Sequence, residues 1–279
     1  MKIIAAAIIL LVATTGRSAG EDTSDNWIKE MLNKNAKIQS HSVTVAGGTE
    51  RNSYSLGFTY SEQDATMGVP GDVPGVQKYN FRVNNDYVAI KSGDLKVLTI
   101  GETLNYRYGK SHGYFGTGDK YSSSIRKGIL HTPFLPVYNE DGSYYSLEQQ
   151  YADKYDWDVA NADDVNPIEQ LALGNETESQ NHYLQASAYV DLQPIKNLHF
   201  RSQFGYMMGA SASHSHSPIY EIGRITKHTV NTVSQSSSMY NRFTWDNTVS
   251  YAFDVKDHHI DVLGGASIES WGNGTSMSG

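Results

Sequence analysis

From Ser42 to Tyr60 the chain reads SVTVAGGTERNSYSLGFTY. Val43 and Val45, then Tyr54, Leu56, Phe58 and Tyr60, alternate with small or polar residues on either side of Gly47-Gly48-Thr49-Glu50. Apolar positions two apart predict strands with one apolar face, and the glycine-containing break predicts a hairpin turn. The same period predicts further strands, giving a set over 40–46, 52–61, 78–89, 95–108, 180–192, 198–209, 240–253 and 259–270. They fall into four pairs joined internally by short, turn-rich segments at 47–50, 91–94, 193–197 and 254–258. Between the pairs lie the long tracts 62–77, 109–179 and 210–239.

Strict alternation of short and long links has no reason to arise in a soluble sandwich. A transmembrane barrel has tight periplasmic turns, long extracellular loops and strands that present apolar residues to lipid and polar residues to the lumen. Strand length points the same way. A tilted strand needs roughly nine to eleven residues to cross the hydrocarbon core, whereas soluble strands usually run about five or six. The predicted fold class is therefore all-β, an antiparallel transmembrane β-barrel segment of about eight strands. In WDNTVSYAF, Trp245, Asn247, Val249, Tyr251 and Phe253 form the expected lipid face, and Asp246, Thr248, Ser250 and Ala252 the lumen face. Tyr60, Tyr79, Tyr106, Tyr108, Tyr206, Phe253 and Trp271 are candidates for interfacial girdles, the alternative being core packing in a soluble β protein.

Composition agrees with this picture. A chain of 279 residues with 39% hydrophobic residues, 25 Gly and 19 Tyr is too apolar and aromatic for disorder and leans toward β structure. The net charge of -8 is dispersed and leaves no basic stripe for nucleic acid. The absence of cysteine excludes thiolate nucleophiles, disulfides and Cys-based zinc sites. In residues 1–19, Lys2 precedes an apolar run from Ile3 to Ala13, the plan of a signal peptide and too short to span a bilayer as a helix. The other reading of this run is a buried strand or helix of a larger parent. Residues 20–39 read as a short helical or loop lead-in, and 40–279 as barrel.

The run NWIKEMLNKNAKIQSHSVTVAGGTERNSYSLGFTY resembles the start of the barrel in SusC/RagA-type TonB-dependent outer-membrane transporters. Trp27, Glu30, Gln39, His41, Gly47, Gly48, Thr49, Glu50 and Tyr54 hold the places of that family's pattern. Colinear matches continue through YNFRVNNDY, LTIGETLNYRY, IRKGILHTPFLPVYNEDGSYY, Asn166-Pro167, IKNLHFRSQFGY and WDNTVSYAFDVKDHHIDVLGGASIE, over residues 26–272. The resemblance implies a Gram-negative outer-membrane barrel of about 22 strands around an N-terminal plug. It also implies import of glycan oligosaccharides, or peptides, with a SusD-like surface lipoprotein as a lid and a TonB complex as the energy source in the full-length parent. Against that pattern there is no room for a plug or TonB box, and the chain closes on TSMSG rather than an aromatic strand. Residues 40–279 are thus expected to be the first part of such a barrel. Thr14, Thr15 and Gly16 then offer a further reading of residues 1–19 as a plug remnant.

No enzyme, metal or cofactor motif emerges from the residues. There is no G-x-S-x-G, H-E-x-x-H or phosphate-binding G-x-x-x-x-G-K-[ST], and adjacent Glu140 and Asp141 point apart in a turn. His214 with His216, and His258 with His259, lack a Cys or carboxylate spacing that completes a metal site and are expected as exposed loop or turn histidines. Asp153, Asp156, Asp158, Asp163 and Asp164 lack the ordered glycine-containing calcium loop. In the same tract, Tyr138, Tyr144, Tyr145, Tyr155 and Trp157 are the candidate substrate or partner contacts, because flat rings stack on sugars or pack against a lid. Two rival classes remain at this point: a self-contained eight-stranded outer-membrane barrel with a structural or adhesive role, and a soluble secreted glycan-binding β protein.

Overall fold

A computed structural model describes residues 10–11, 27–69, 75–114, 126, 128–129, 137–139, 141–145, 165–173, 176–222, 227–272 and 274–279. A short strand β1 (Leu10–Leu11) and a helix α1 (Trp27–Met31) precede β2 (Ile38–Gly48), β3 (Asn52–Asp64), β4 (Gly75–Ser92) and β5 (Leu95–Tyr114). A second helix α2 (Pro167–Ala172) leads to β6 (Glu176–Ile195) and β7 (Leu198–Ser217). The small strands β8 (Tyr220–Glu221) and β9 (Lys227–His228) are followed by β10 (Thr232–Val255), β11 (His258–Trp271) and β12 (Thr275–Ser278). All ladders are antiparallel, and the main sheet runs β1-β2-β3-β4-β5-β6-β7-β10-β11, with β12 also against β10. Strands β8 and β9 pair separately. Among the described residues no ladder joins β11 to β1 or β2 at the other end of the sheet, so the sheet is an open wall rather than a closed ring.

Each of the eight predicted strands is present, and each is longer than its apolar alternation. The extension is largest where Ser and His replace apolar residues: β7 continues to Ser217 and β10 begins at Thr232. Hydroxyl pairs hold these tails together, Ser211 to Ser238 at 2.7 Å and Ser215 to Ser234 at 2.6 Å. His214 and His216, expected in a loop, therefore lie on β7, where His216 Nε2 sits 2.8 Å from Asn231 Oδ1. The short turns are tight. Gly93, Asn197 and Lys256 adopt φ of 59°, 65° and 57°, the left-handed conformation that two-residue hairpin turns require.

Directly paired residues share a face, so the register sorts the wall into rows. On one face the rows read Val43, Phe58, Phe81, Tyr106, Leu184 and Met208, then Val45, Leu56, Val83, Leu104, Ala186, Tyr206 and Phe243. Toward the short turns this face continues through Ile100 and Val190, then Leu192, Phe200 and Val249. Many of these large apolar side chains stand exposed, Leu56 at 42% and Phe58 at 45% among them. The chain's accessible surface of 18952 Å² compares with about 12,000 Å² for a compact globular protein of this mass. Among the described residues no second layer covers the apolar face.

Toward the long connections this face ends in a row of five rings, His41, Tyr60, Tyr79, Tyr108 and His182, one on each of β2 to β6. Successive centroids lie 6.3, 5.0, 5.9 and 4.9 Å apart. The next row outward is polar: Glu62 accepts from Gln39 and from Gln77, and Lys110 Nζ lies 2.9 Å from Glu178. From His182 to Leu192 is ten residues of β6, about 33 Å of strand, which spans about 25 Å when tilted by about 40°. An apolar band of that height, edged by aromatics and then polar groups, is the lipid face of a barrel wall. Trp271 is a correction to the girdle expected from sequence. It pairs with Arg242 and so lies on the opposite face, its ring 5.1 Å from the Arg242 guanidinium carbon.

Candidate functional site: the polar face and the cap at the long-connection end

The opposite face carries the polar chemistry. Its rows include Ser40, Ser61, Lys78, Asn181, Ser211 and Ser238, then Ser42, Thr59, Asn80, Arg107, Tyr183 and Tyr240. A third reads Thr44, Gly57, Arg82, Asn105, Gln185 and Arg242. Small residues make room for large rings here. A Cβ at Gly101 would run into the Tyr189 ring, and one at Gly209 into the Tyr240 ring, so each tyrosine lies flat over the glycine of the adjoining strand. Around Gly209 this sets Tyr183 and Tyr240 on either side of one flat patch of backbone.

Nearer the short turns the same face holds a tight polar cluster. Tyr189 Oη donates to Asp86 Oδ1 at 2.5 Å, and the Arg201 guanidinium stacks 3.6 Å from the Tyr189 ring centroid. His199 Nδ1 lies 2.8 Å from Asp191 Oδ1. These contacts link β4, β6 and β7 side chain to side chain, so the cluster stiffens the wall. Among the described residues no group of three His, Asp or Glu side chains is arranged to hold a metal ion.

At the long-connection end a small core caps the sheet. Trp27 and Met31 of α1, Val69, Val137, and Ile168 and Leu171 of α2 pack together, with Met67 and Tyr144 against them. Gly68 N donates to Met31 O at 2.9 Å and Asn33 N to Thr66 O at 2.9 Å, which ties α1 to the end of β3. The buried Asn166 joins the remaining pieces. Its Oδ1 caps α2 by accepting from Ile168 N at 3.1 Å and Glu169 N at 3.2 Å, and its Nδ2 donates to Val137 O at 2.9 Å. Pro167 then occupies the first helical turn, where its missing N–H costs nothing.

The candidate ring residues meet different fates. Tyr138 and Tyr144 face each other across a bridge, ring centroids 5.5 Å apart, in a hairpin closed by Asn139 N to Ser143 O at 2.8 Å. Tyr145 is buried, Tyr144 is half-buried on the cap, and Tyr138 is 36% exposed. Burial raises the phenol pKa of both Tyr138 and Tyr144. Burial likewise raises the Glu169 carboxyl above its ordinary value. Tyr155, Trp157 and the acidic tract 153–164 lie outside the described residues. The reading of the sequence missed the cations of the polar face. Lys78 and Arg82 alternate with Tyr79, Phe81 and Val83, and that alternation is the signal that places them opposite the lipid face.

No family model matches the chain. It is 28% identical over 256 residues, 88% of its length, to TonB-dependent receptor P26 of Formosa agariphila, and covers 22% of that protein. It superposes on the RagAB peptide transporter with a TM-score of 0.67 at 16% identity, covering 92% of this chain and 27% of that one. The closed-closed and open-open states of the RagAB peptide importer give the same TM-score of 0.67 at 17% and 16% identity. The chain thus spans less than a third of the length of the proteins it matches. No described helix is long and apolar enough to cross a membrane, and the crossing elements are strands. In its motifs and its fold the chain resembles the β-barrel of the SusC/RagA-type TonB-dependent outer-membrane transporters.

Proposed function

We propose that the chain forms part of the barrel wall of an outer-membrane importer that takes up oligosaccharides with a SusD-like surface lipoprotein and a TonB complex. The observation that carries this reading is the two-faced wall, with an apolar band of bilayer height on one side and hydroxyls, amides, cations and tyrosines on the other. The RagAB neighbours are peptide transporters by name. A saccharide cargo is favoured for this chain because the polar face offers hydroxyl and amide groups and flat rings but few apolar side chains that would seat peptide residues. The cap, with the exposed edge of Tyr138, lies at the end where a surface lipoprotein would close, and Tyr138 is the proposed contact.

The open sheet weighs against a self-contained eight-stranded barrel, and the uncovered apolar face against a soluble binder. Deletion of the gene in its source organism, followed by growth on defined oligosaccharides or peptides as sole carbon source, tests the proposal. Selective loss of growth on an oligosaccharide supports it. Unchanged growth on every oligosaccharide, or recovery of the protein from the soluble fraction without detergent, refutes it.

A further inference from the structure

On the polar face, Lys78, Arg107, Arg82 and Arg242 fall in three successive rows, and no carboxylate occurs in those rows. Lys78, Arg82 and Arg107 are exposed. Arg107 lies 5.0 Å from the Tyr183 ring centroid, and Arg242 reaches Glu269 at 3.6 Å. Among the described residues no ion pair neutralises Lys78, Arg82 or Arg107. Of the acidic residues of this face, Glu269 stands in the next row beside Arg242, and Asp86, Asp191, Asp246, Asp254 and Asp261 stand lower, toward the short turns. The net charge of the chain is -8, so three cations gathered without an ion-pair partner, with Arg242 and its Glu269 beside them, run against its overall balance.

Two features beside the cations describe what they would hold. A recess of about 490 Å³ is lined by Lys78, Arg107, Asn181, Tyr183, Ser211 and Tyr240, a volume within the range of ligand sites of roughly 300 to 1,000 Å³. Toward the long connections the next row on this face is a serine ladder, Ser111, Ser179, Ser213 and Ser236. Hydroxyls, a tyrosine pair and unpaired cations suit a ligand that has hydroxyl groups, sugar-ring faces and anionic substituents at once. Charge-assisted hydrogen bonds to carboxylate or sulfate supply selectivity, and ring faces stack on Tyr183 and Tyr240.

We infer that this belt selects an anionic oligosaccharide, one bearing carboxylate or sulfate groups, as it passes along the wall. The inference rests on the oligosaccharide-import reading and names the class of cargo. The test uses the full chain extracted in detergent from outer membranes, with trigalacturonate, maltotriose and triglutamate as probes in calorimetry at low and high salt. Trigalacturonate is expected to bind at least about tenfold more tightly than maltotriose, to weaken as salt screens the belt, and to lose about tenfold in the K78Q/R82Q/R107Q variant. Equal binding of trigalacturonate and maltotriose, or full affinity in the triple variant, overturns the inference while leaving import itself standing. Triglutamate binding as tightly as trigalacturonate overturns the saccharide assignment. Failure to recover the chain in the outer membrane removes the import reading and the inference with it.

Discussion

Tyr60 on β3 and Tyr79 on β4 stand directly opposite one another with ring centroids 5.0 Å apart, on the boundary between the apolar band and the polar row led by Glu62. Each ring also meets the next in the row, His41 on one side and Tyr108 on the other. Amphipathic rings favour this depth of a bilayer, and cross-strand aromatic pairs contribute about 0.5 to 1.5 kcal/mol beyond area burial. Tyr79→Ala breaks two ring contacts at once. It is expected to lower stability in lipid by about 1 to 3 kcal/mol, seen as a shifted urea midpoint for loss of the compact form on unheated gels. Tyr79→Trp is expected to keep the native midpoint.

Leu56 and its neighbour Ser55 test which face meets lipid. Leu56 lies in a middle row of the apolar band, whereas Ser55 is on the other face and accepts from Asn84 Nδ2 at 3.1 Å. Leu56→Arg is expected to cost about 2 to 4 kcal/mol for folding into vesicles, as a cation at the bilayer midplane does. Ser55→Arg is expected to cost under about 1.5 kcal/mol, the worth of the lost hydrogen bond. Equal costs in vesicle-folding titrations would refute the assignment of faces.

Gly101 predicts a steric effect that its neighbours do not share. Any Cβ there meets the Tyr189 ring, which is also held by Asp86 and Arg201, so the ring has little room to yield. Gly101→Ala is expected to destabilise by about 1 to 3 kcal/mol in the urea assay. Gly264→Ala on β11, where nothing lies within 4 Å of the added carbon, is expected to leave the midpoint unchanged.

The strand set was legible because period two survives in every membrane-length segment, from Val43 and Val45 to Trp245 and Val249. The strand tails were not, because Ser211, Ser213 and Ser215 show no apolar alternation and are held by hydroxyl pairs that depend on the register with β6 and β10. Trp271 was assigned to the wrong face for the same reason: its parity is set by the pairing of β11 with β10, and an exposed strand end carries too few apolar neighbours to show it. The cap was half visible. Asn166-Pro167 is a helix-start signature, yet the contact of α2 with Trp27 joins residues far apart in sequence and leaves no local trace. The cationic belt needed the register as well, since Lys78, Arg107, Arg82 and Arg242 come from three strands.

Asn166 is the residue on which the cap depends. Asn166→Ala removes the acceptor for two backbone N–H groups of α2 and the donor to Val137 O, leaving buried groups unpaired. A lost N-cap costs about 0.5 to 2 kcal/mol and a buried orphan about 1 to 3 kcal/mol. Amide exchange of residues 168–171 is therefore expected to speed up markedly, while the β2 to β7 ladders keep their protection. Asn166→Ser keeps an acceptor for the helix cap and loses the donor to Val137 O without burying a charge, so exchange in α2 should fall between the two.

Glu169 makes the cap sensitive to pH. Its carboxyl sits in the first turn of α2, and burial raises its pKa in the folded cap above that of the open segment. The folded state therefore binds the proton more tightly, and cap stability is greatest below the ordinary glutamate value. It declines as pH rises from there through the raised value, then levels off. Asp141 acts in the opposite sense. The Ser143 hydroxyl, at 2.6 Å, and the Ser143 N–H, at 2.9 Å, both donate to it and lower its pKa, so the stability it contributes is present above the ordinary aspartate value and lost as pH falls below it. Opening of the cap, followed by exchange of residues 168–171 and corrected for intrinsic rate, should thus accelerate as pH rises from the ordinary glutamate value through the raised one in the native chain. Glu169→Gln should flatten that rise without altering the acid limb set by Asp141. A rise that persists in the glutamine variant would assign the pH response to another group and refute the role given to Glu169.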